Sequence, residues 1–223
     1  VRKTRLHAAV STLLLVSFVA AFSAVRRTAR FDEITVGKIN IVDSEDRTRV
    51  ILAGGYPPCR EDLAGLIFIN QEGVEAGGLV CTGTRDTADG VEAGAILTFD
   101  QFDNDQIVAL SYGQSGDQKR HGLTIQDRPD TLSDRVKEAY RTVDGASSPE
   151  ERDSPVRFHL SRIPQQEFVS RRLVVGRSWN RASLVTLSDP NGKPRSRLEV
   201  DSLEAASISF LDEEGEVVRT IEP

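Results

Sequence analysis

A chain of 223 residues with formal net charge −6, 39% hydrophobic and 28% charged residues is long enough for one good core and short for two full domains. That apolar content excludes a disordered acidic tail and a multi-span membrane protein, and two cysteines exclude a disulfide-stapled mini-scaffold and a four-cysteine zinc site. Methionine is absent even at position 1, so Val1 is read as a literally translated start codon and residue 1 as the beginning.

The charge is divided unevenly. Residues 1–30 carry Arg2, Lys3, Arg5, Arg26, Arg27 and Arg30 and no acid, a net of +6, which leaves 22 bases and 34 acids in 31–223, a net of −12. A basic tail, 1–7, and a basic juxtamembrane segment, 26–30, flank an uncharged run from Ala8 to Val25. Its 18 residues span roughly 27 Å as a helix, close to a hydrocarbon core. Two readings compete, a single-pass anchor and a cleaved signal peptide. Length favours the anchor, because the apolar part of a signal peptide is usually about 7–15 residues, although Ala21 and Ser23 offer small residues for cleavage. A buried helix of a soluble protein is the weakest reading, because the run is apolar all round. Basic residues balance across the run. The short N-terminus inside is the commoner arrangement, which places 31–223 outside the cytoplasm, or makes it secreted or periplasmic after cleavage.

From residue 31 onward one local pattern repeats: apolar alternation, a polar turn opened by Asp or Asn, and a second short strand. Copies run from Ile39 to Leu52, Leu66 to Val80, Ala95 to Leu110, Leu184 to Arg195 and Ile208 to Arg219. An Asp that opens a turn accepts hydrogen bonds from backbone N–H groups inside it, and a Gly three positions on supplies the positive φ that closes many hairpins. Asp189 with Gly192 and Asp212 with Gly215 fit this design. Arg49, Arg195 and Arg219 recur on outgoing strands, where they are expected to face solvent or pair with a turn acid rather than form a ligand-binding ladder. Leu132, Val136, Ala139, Tyr140 and Val143 have helical spacing, which predicts an amphipathic helix over about 131–143, followed by a Gly-, Ser- and Pro-containing loop over 144–155. Phe158, Leu160, Ile163, Phe168, Leu173 and Val175 lead back to β structure, and Gly113 and Gly116 mark a loop.

Chemistry-bearing motifs are sparse. His7 belongs to the basic tail, and His121 and His159 lie in no His-Glu-x-x-His, His-x-His or Cys-x-x-Cys pattern. No Gly-x-Ser-x-Gly elbow, Walker loop or Gly-x-Gly-x-x-Gly occurs, and no cofactor is expected. A spatial pairing of His121 or His159 with a carboxylate such as Asp100 or Asp127 is the enzymatic alternative, a cell-envelope hydrolase. The acidic turns Asp43/Glu45/Asp46, Asp100/Asp103/Asn104/Asp105 and Asp212/Glu213/Glu214 lack the full calcium-loop pattern. Asp100, Asp103 and Asp105 are the least unfavourable metal candidates, for a calcium-dependent adhesive module. Cys59 and Cys81 flank the second hairpin; in an exported domain they can form a disulfide closing a loop worth roughly 3 kcal/mol, and two free thiols are equally compatible with the pattern. Nucleic acid is a poor partner for a −12 domain whose one basic concentration is Arg171 and Arg172. The membrane, through 8–25, and a protein partner or self-association through sheet edges are the expected partners.

Phe31-Asp32-Glu33-Ile34, followed by Gly37 to Asp43, resembles the start of a set of bacterial proteins with one N-terminal membrane segment and repeated hairpins of the type I-N-[I/V]-[V/D]-x-x-x-G/D-x-x-R. The resemblance covers most of 31–110 and returns at 184–221, with Asp46 in the glycine position of the first turn. It implies no activity. Similar hairpins occur in stalks of fibrous surface proteins. The expected fold is therefore mainly β, with repeated antiparallel hairpins forming a sandwich, barrel or solenoid-like sheet with one inserted amphipathic helix, after an N-terminal transmembrane helix. The expected role is an extracytoplasmic binding or structural module.

Overall fold

The computed structural model describes residues 29–55, 63–87, 90–132, 134, 136–138, 163–164 and 167–223. The candidate membrane run 8–25, the loop 144–155, Cys59 and His159 lie outside the described residues. Among the described residues no helix is long and apolar enough to cross a membrane. Residues 29–36 belong to a first unit, without regular structure and with Phe31, Ile34 and Val36 exposed.

The second unit, Gly37–Pro223, is built on a twelve-stranded sheet. Its strands are β1 (Lys38–Val42), β2 (Thr48–Ala53), β3 (Ala64–Ile69), β4 (Glu75–Thr87), β5 (Gly90–Asp100), β6 (Gln106–Ser115), β7 (Gln118–Asp127), β8 (Ser170–Arg177), β9 (Ser183–Ser188), β10 (Pro194–Val200), β11 (Ala206–Leu211) and β12 (Val217–Ile221). Each pairs antiparallel with its neighbour in the chain, so the order in the sheet is the order in the sequence. The described strands neither close into a barrel nor split into two packed sheets; they form an open sheet with β1 and β12 at its edges.

The five expected hairpins are β1–β2, β3–β4, β5–β6, β9–β10 and β11–β12. Four of them share one turn. In the clearest, Asp189 Oδ1 accepts from the N–H groups of Asn191 (2.9 Å) and Lys193 (3.1 Å), Gly192 N–H donates to the Asp189 carbonyl (2.9 Å), and Gly192 has φ +78°. Asp43, Asn70 and Asp212 repeat this pattern, with positive φ at Asp46, Gly73 and Gly215. Asp201, between β10 and β11, repeats it as well. The β5–β6 turn differs from expectation. Gln101 rather than Asp100 opens it, and the positive φ falls on Asp103. Gly113, expected in a loop, is inside β6, and the reversal lies at Gly116 and Asp117.

The turns explain two sequence features. Asp46 occupies the glycine position at φ +60°, a conformation Asp tolerates better than most residues. The Asp201 turn has no glycine at all, and Glu204 takes the strained place at φ +71°. Glu204→Gly should therefore stabilise the protein by about 1 kcal/mol, and Asp46→Gly by less, as read from thermal melting.

The predicted helix is present only in part among the described residues, with helical backbone at 134 and 136–138. Val136 is completely buried and packs with Ile163, Leu132 and Phe168. Among the described residues these form a small buried apolar cluster of their own, at the helix rather than within the sheet.

Candidate functional site

Pairing register decides what each face of the sheet presents, because directly opposed residues point to the same side. Starting at β1, Ile39 opposes Leu52, which opposes Leu66, then Leu79, Leu97 and Leu110. The row continues through Leu123, Val175, Val185, Leu198, Ile208 and Ile221 on β12. Every strand thus contributes one aliphatic side chain to a single unbroken line. The adjoining row on the same face runs from Ile41 through Val50, Phe68 and Phe99 to Ile125, Leu187 and Phe210, interrupted by Gly77, Ser196 and Arg219.

This face is open. Fifteen of its large hydrophobic side chains keep between 36% and 54% of their surface exposed, among them Leu79, Leu110, Phe99 and Leu198. The other face is the more sheltered toward its middle, exposed at its two edge strands, and mixed in composition. Its members include the buried Ala53, Ile67, Thr98 and Thr186, and its polar positions include Asn40, Arg197 and Thr220. Thr98 meets its hydrogen-bonding needs locally, accepting from Gly78 N–H at 3.1 Å. A globular domain ordinarily buries its apolar face; here the face with the continuous aliphatic row is left open.

On the sheltered face, β6 to β9 enclose a cleft of about 360 Å³. Ser111, Gly122, Thr124 and Gly176 contribute to its lining, together with the single tryptophan, Trp179. The Arg120 guanidinium lies 5.3 Å from the centre of the Trp179 ring, a cation–π arrangement. Arg120 and Arg171 line the cleft, His121 and Arg177 border it from strand positions whose register turns them to the open face, and among the described residues no carboxylate lines it. Gly122 and Gly176 oppose each other across β7 and β8, where the backbones approach so closely that any Cβ would overlap a carbonyl of the other strand.

The enzymatic candidates are not brought together. His121 stands on the open face between Tyr112 and Arg177. Asp127 lies six residues further along the same strand, roughly 20 Å away at strand spacing, where Arg172 pairs with it at 2.5 Å. Asp100 opposes Gln106, six positions from the His121 level on β6, so it is equally remote. A second carboxylate group does form at that end. Burial raises the Glu75 carboxyl above its ordinary range, and Asp100 and Asp105 add to the shift. Asp100 is raised by burial and by Asp105, with Arg128 and Thr98 opposing. Arg128, whose side chain is only 6% exposed, pairs with Asp105 at 2.8 Å and donates to the Gln106 carbonyl at 2.9 Å. Among the described residues no three His, Cys, Asp or Glu side chains converge as metal ligands. Asp103, the remaining metal candidate, sits exposed in the turn.

The recurring arginines mostly serve the turns. Arg195 holds Asp189 Oδ2 through Nε at 3.0 Å and Nη2 at 2.9 Å, and Arg49 approaches Asp43 at 3.9 Å. Backbone N–H of Glu45 is the main cause that holds the Asp43 carboxyl below its usual range. At Asp189 burial pushes upward, but the N–H groups of Lys193 and Asn191 and the Arg195 guanidinium outweigh it, and that carboxyl too is lowered. Cys81 lies exposed on β4, beside the aliphatic row and opposite Ala64 and Ala95. Comparison with known protein families and with curated proteins finds no match to this chain.

The continuous row was within reach of sequence reasoning, because alternation marks one apolar face in each hairpin. Its span was not: register between successive hairpins depends on the β2–β3, β4–β5, β6–β7, β7–β8, β8–β9 and β10–β11 connections, none of which carries the Asp-x-x-Gly signal within its length.

Proposed function

We propose that the protein is a single-pass, membrane-anchored, extracytoplasmic β-domain that works as a binding or structural module. The observation that carries this reading is the aliphatic row crossing all twelve strands on an open face, a surface suited to holding another macromolecule and poorly suited to activating a small substrate. The uncharged run 8–25 with basic flanks supports the anchor, and the −12 charge of 31–223 supports a domain held off the anionic membrane surface. Fractionation with protease accessibility tests it: the chain should sediment with membranes and its domain should be cut by protease added to spheroplasts. Recovery as a soluble cytoplasmic protein would sink the reading.

A second reading is favoured by the cleft. Two arginines, Arg120 and Arg171, with a tryptophan and no lining carboxylate among the described residues fit an anionic ligand despite the negative domain around them. Titration with inorganic phosphate and with a uronic acid should change the emission of Trp179, the chain's only tryptophan. An unchanged spectrum with both removes this reading.

A further inference from the structure

We propose that the open face of the sheet is closed by the same face of a second copy of this chain. This rests on the binding or structural reading above and names the partner. The strand edges, the route by which sheet proteins most readily associate, are not the surface that calls for cover here; the face is.

Area comes first. The fifteen partly exposed side chains, at 36–54% exposure each, present roughly 1,000 Å² of apolar surface per copy, above the about 800 Å² per partner of a stable interface. Two such faces packed together reach the range of obligate homodimers and become a sandwich with layers about 10 Å apart. The chain as described lacks that second layer.

Shape comes second. Twelve strands at about 4.8 Å spacing make the aliphatic row roughly 53 Å long. An occupant must offer an apolar array of the same length and the same periodicity. A second copy of the sheet does so by construction, and a two-fold axis lying in the interface, parallel to the faces and along the row, sets row on row.

Charge decides between a copy and a bilayer. Of the two central rows only Arg219 is charged, so the acids responsible for the −12 stand elsewhere and do not oppose pairing of the faces. Lys119 and Arg177 flank the rows on the same face, but a domain of net −12 is repelled as a whole by anionic lipid.

The test uses the full chain, extracted in mild detergent, with Cys59→Ser so that Cys81 on the open face is the only thiol. Sedimentation equilibrium should give the mass of at least two chains, and Cys81 should resist maleimide. Leu79→Lys combined with Leu110→Lys and Leu198→Lys should reduce the mass to one chain and speed Cys81 labelling by about tenfold or more, with the β circular dichroism retained. Should the triple variant lose that spectrum, Leu110→Lys alone is read by the same two measures. Asn40→Lys with Thr220→Lys, exposed positions on the other face, should leave both measures unchanged. A wild-type monomer with reactive Cys81 overturns the proposal, as does a charged variant that stays assembled with Cys81 shielded. A monomer whose Cys81 is shielded only by added phosphatidylglycerol vesicles overturns it in favour of lipid. A cytoplasmic dimer with the expected responses sustains the pairing and removes only the location.

Discussion

Gly122→Ala should cost about 3 kcal/mol or more, enough to leave much of the chain unfolded at moderate temperature. Gly122 opposes Gly176 across β7–β8, and its Cα lies against a partner strand whose Val175 carbonyl occupies the place a Cβ would take. Both obstructing atoms are backbone, so no rotamer change relieves the overlap; the two strands must part, and with them the joint between β1–β7 and β8–β12. Gly83→Ala is the matched comparison, since a Cβ there comes no nearer than 3.5 Å to any atom, the Ala93 Cβ, which is ordinary contact. It should change stability by no more than about 0.5 kcal/mol, in either direction. Urea denaturation of both variants measures the difference, and equal midpoints would show that the β7–β8 approach can relax.

Arg128→Met should cost about 3 kcal/mol at neutral pH and recover part of that loss on acidification. The Arg128 guanidinium is nearly buried, binds the Asp105 carboxylate and the Gln106 carbonyl, and counters the charge felt by Asp100. Without it, Glu75, Asp100 and Asp105 face one another uncompensated. Glu75 and Asp100 have folded values raised above the ordinary range, mainly by burial. A carboxyl raised on folding binds its proton more tightly in the folded state. Its contribution is complete below the unfolded value near about 4 and is lost as pH rises through the folded value. Stability should therefore climb as pH falls from 7 toward about 5, and climb more steeply in Arg128→Met. Asp43 and Asp189 act in the opposite sense: lowered on folding, they contribute above the ordinary range and lose that contribution as pH falls below about 4. The wild-type curve should have a mildly acidic maximum. Melting temperatures from pH 3 to 8 for both proteins check it, and a variant curve parallel to the wild type would remove Arg128 from the account.

What the sequence made legible was local. Alternation and the Asp-x-x-Gly turn located five hairpins because both signals are written within a dozen residues, and the turn chemistry at Asp43, Asn70, Asp189 and Asp212 follows that reading. The Asp201 turn escaped notice because Glu204 stands where glycine was the marker, and Ser178 opens the β8–β9 turn without an acid. Gly113 misled in the other direction: a glycine inside a strand does not end it when both neighbours keep their pairing. The hydrolase pairing of His121 with Asp100 or Asp127 looked open because distance along a strand is invisible until register is known. The cleft around Trp179 could not be read at all, since its arginines come from β7 and β8, more than fifty residues apart from Arg120 to Arg171.

The order of strands has a consequence for how such a protein is made and altered. Among the described residues each strand is hydrogen-bonded to the strands before and after it in the chain and to no other, so native contacts join mostly near neighbours in sequence. Loop-closure entropy is then small at all but one step, and folding can start at any hairpin and spread outward one strand at a time. The largest interruption is the segment between Asp127 and Ser170, which must be spanned before β8 can dock on β7. Removing or duplicating a hairpin such as β11–β12 would shorten or lengthen the sheet by two strands without disturbing the rest, so the length of the domain is itself a variable that gene duplication can tune.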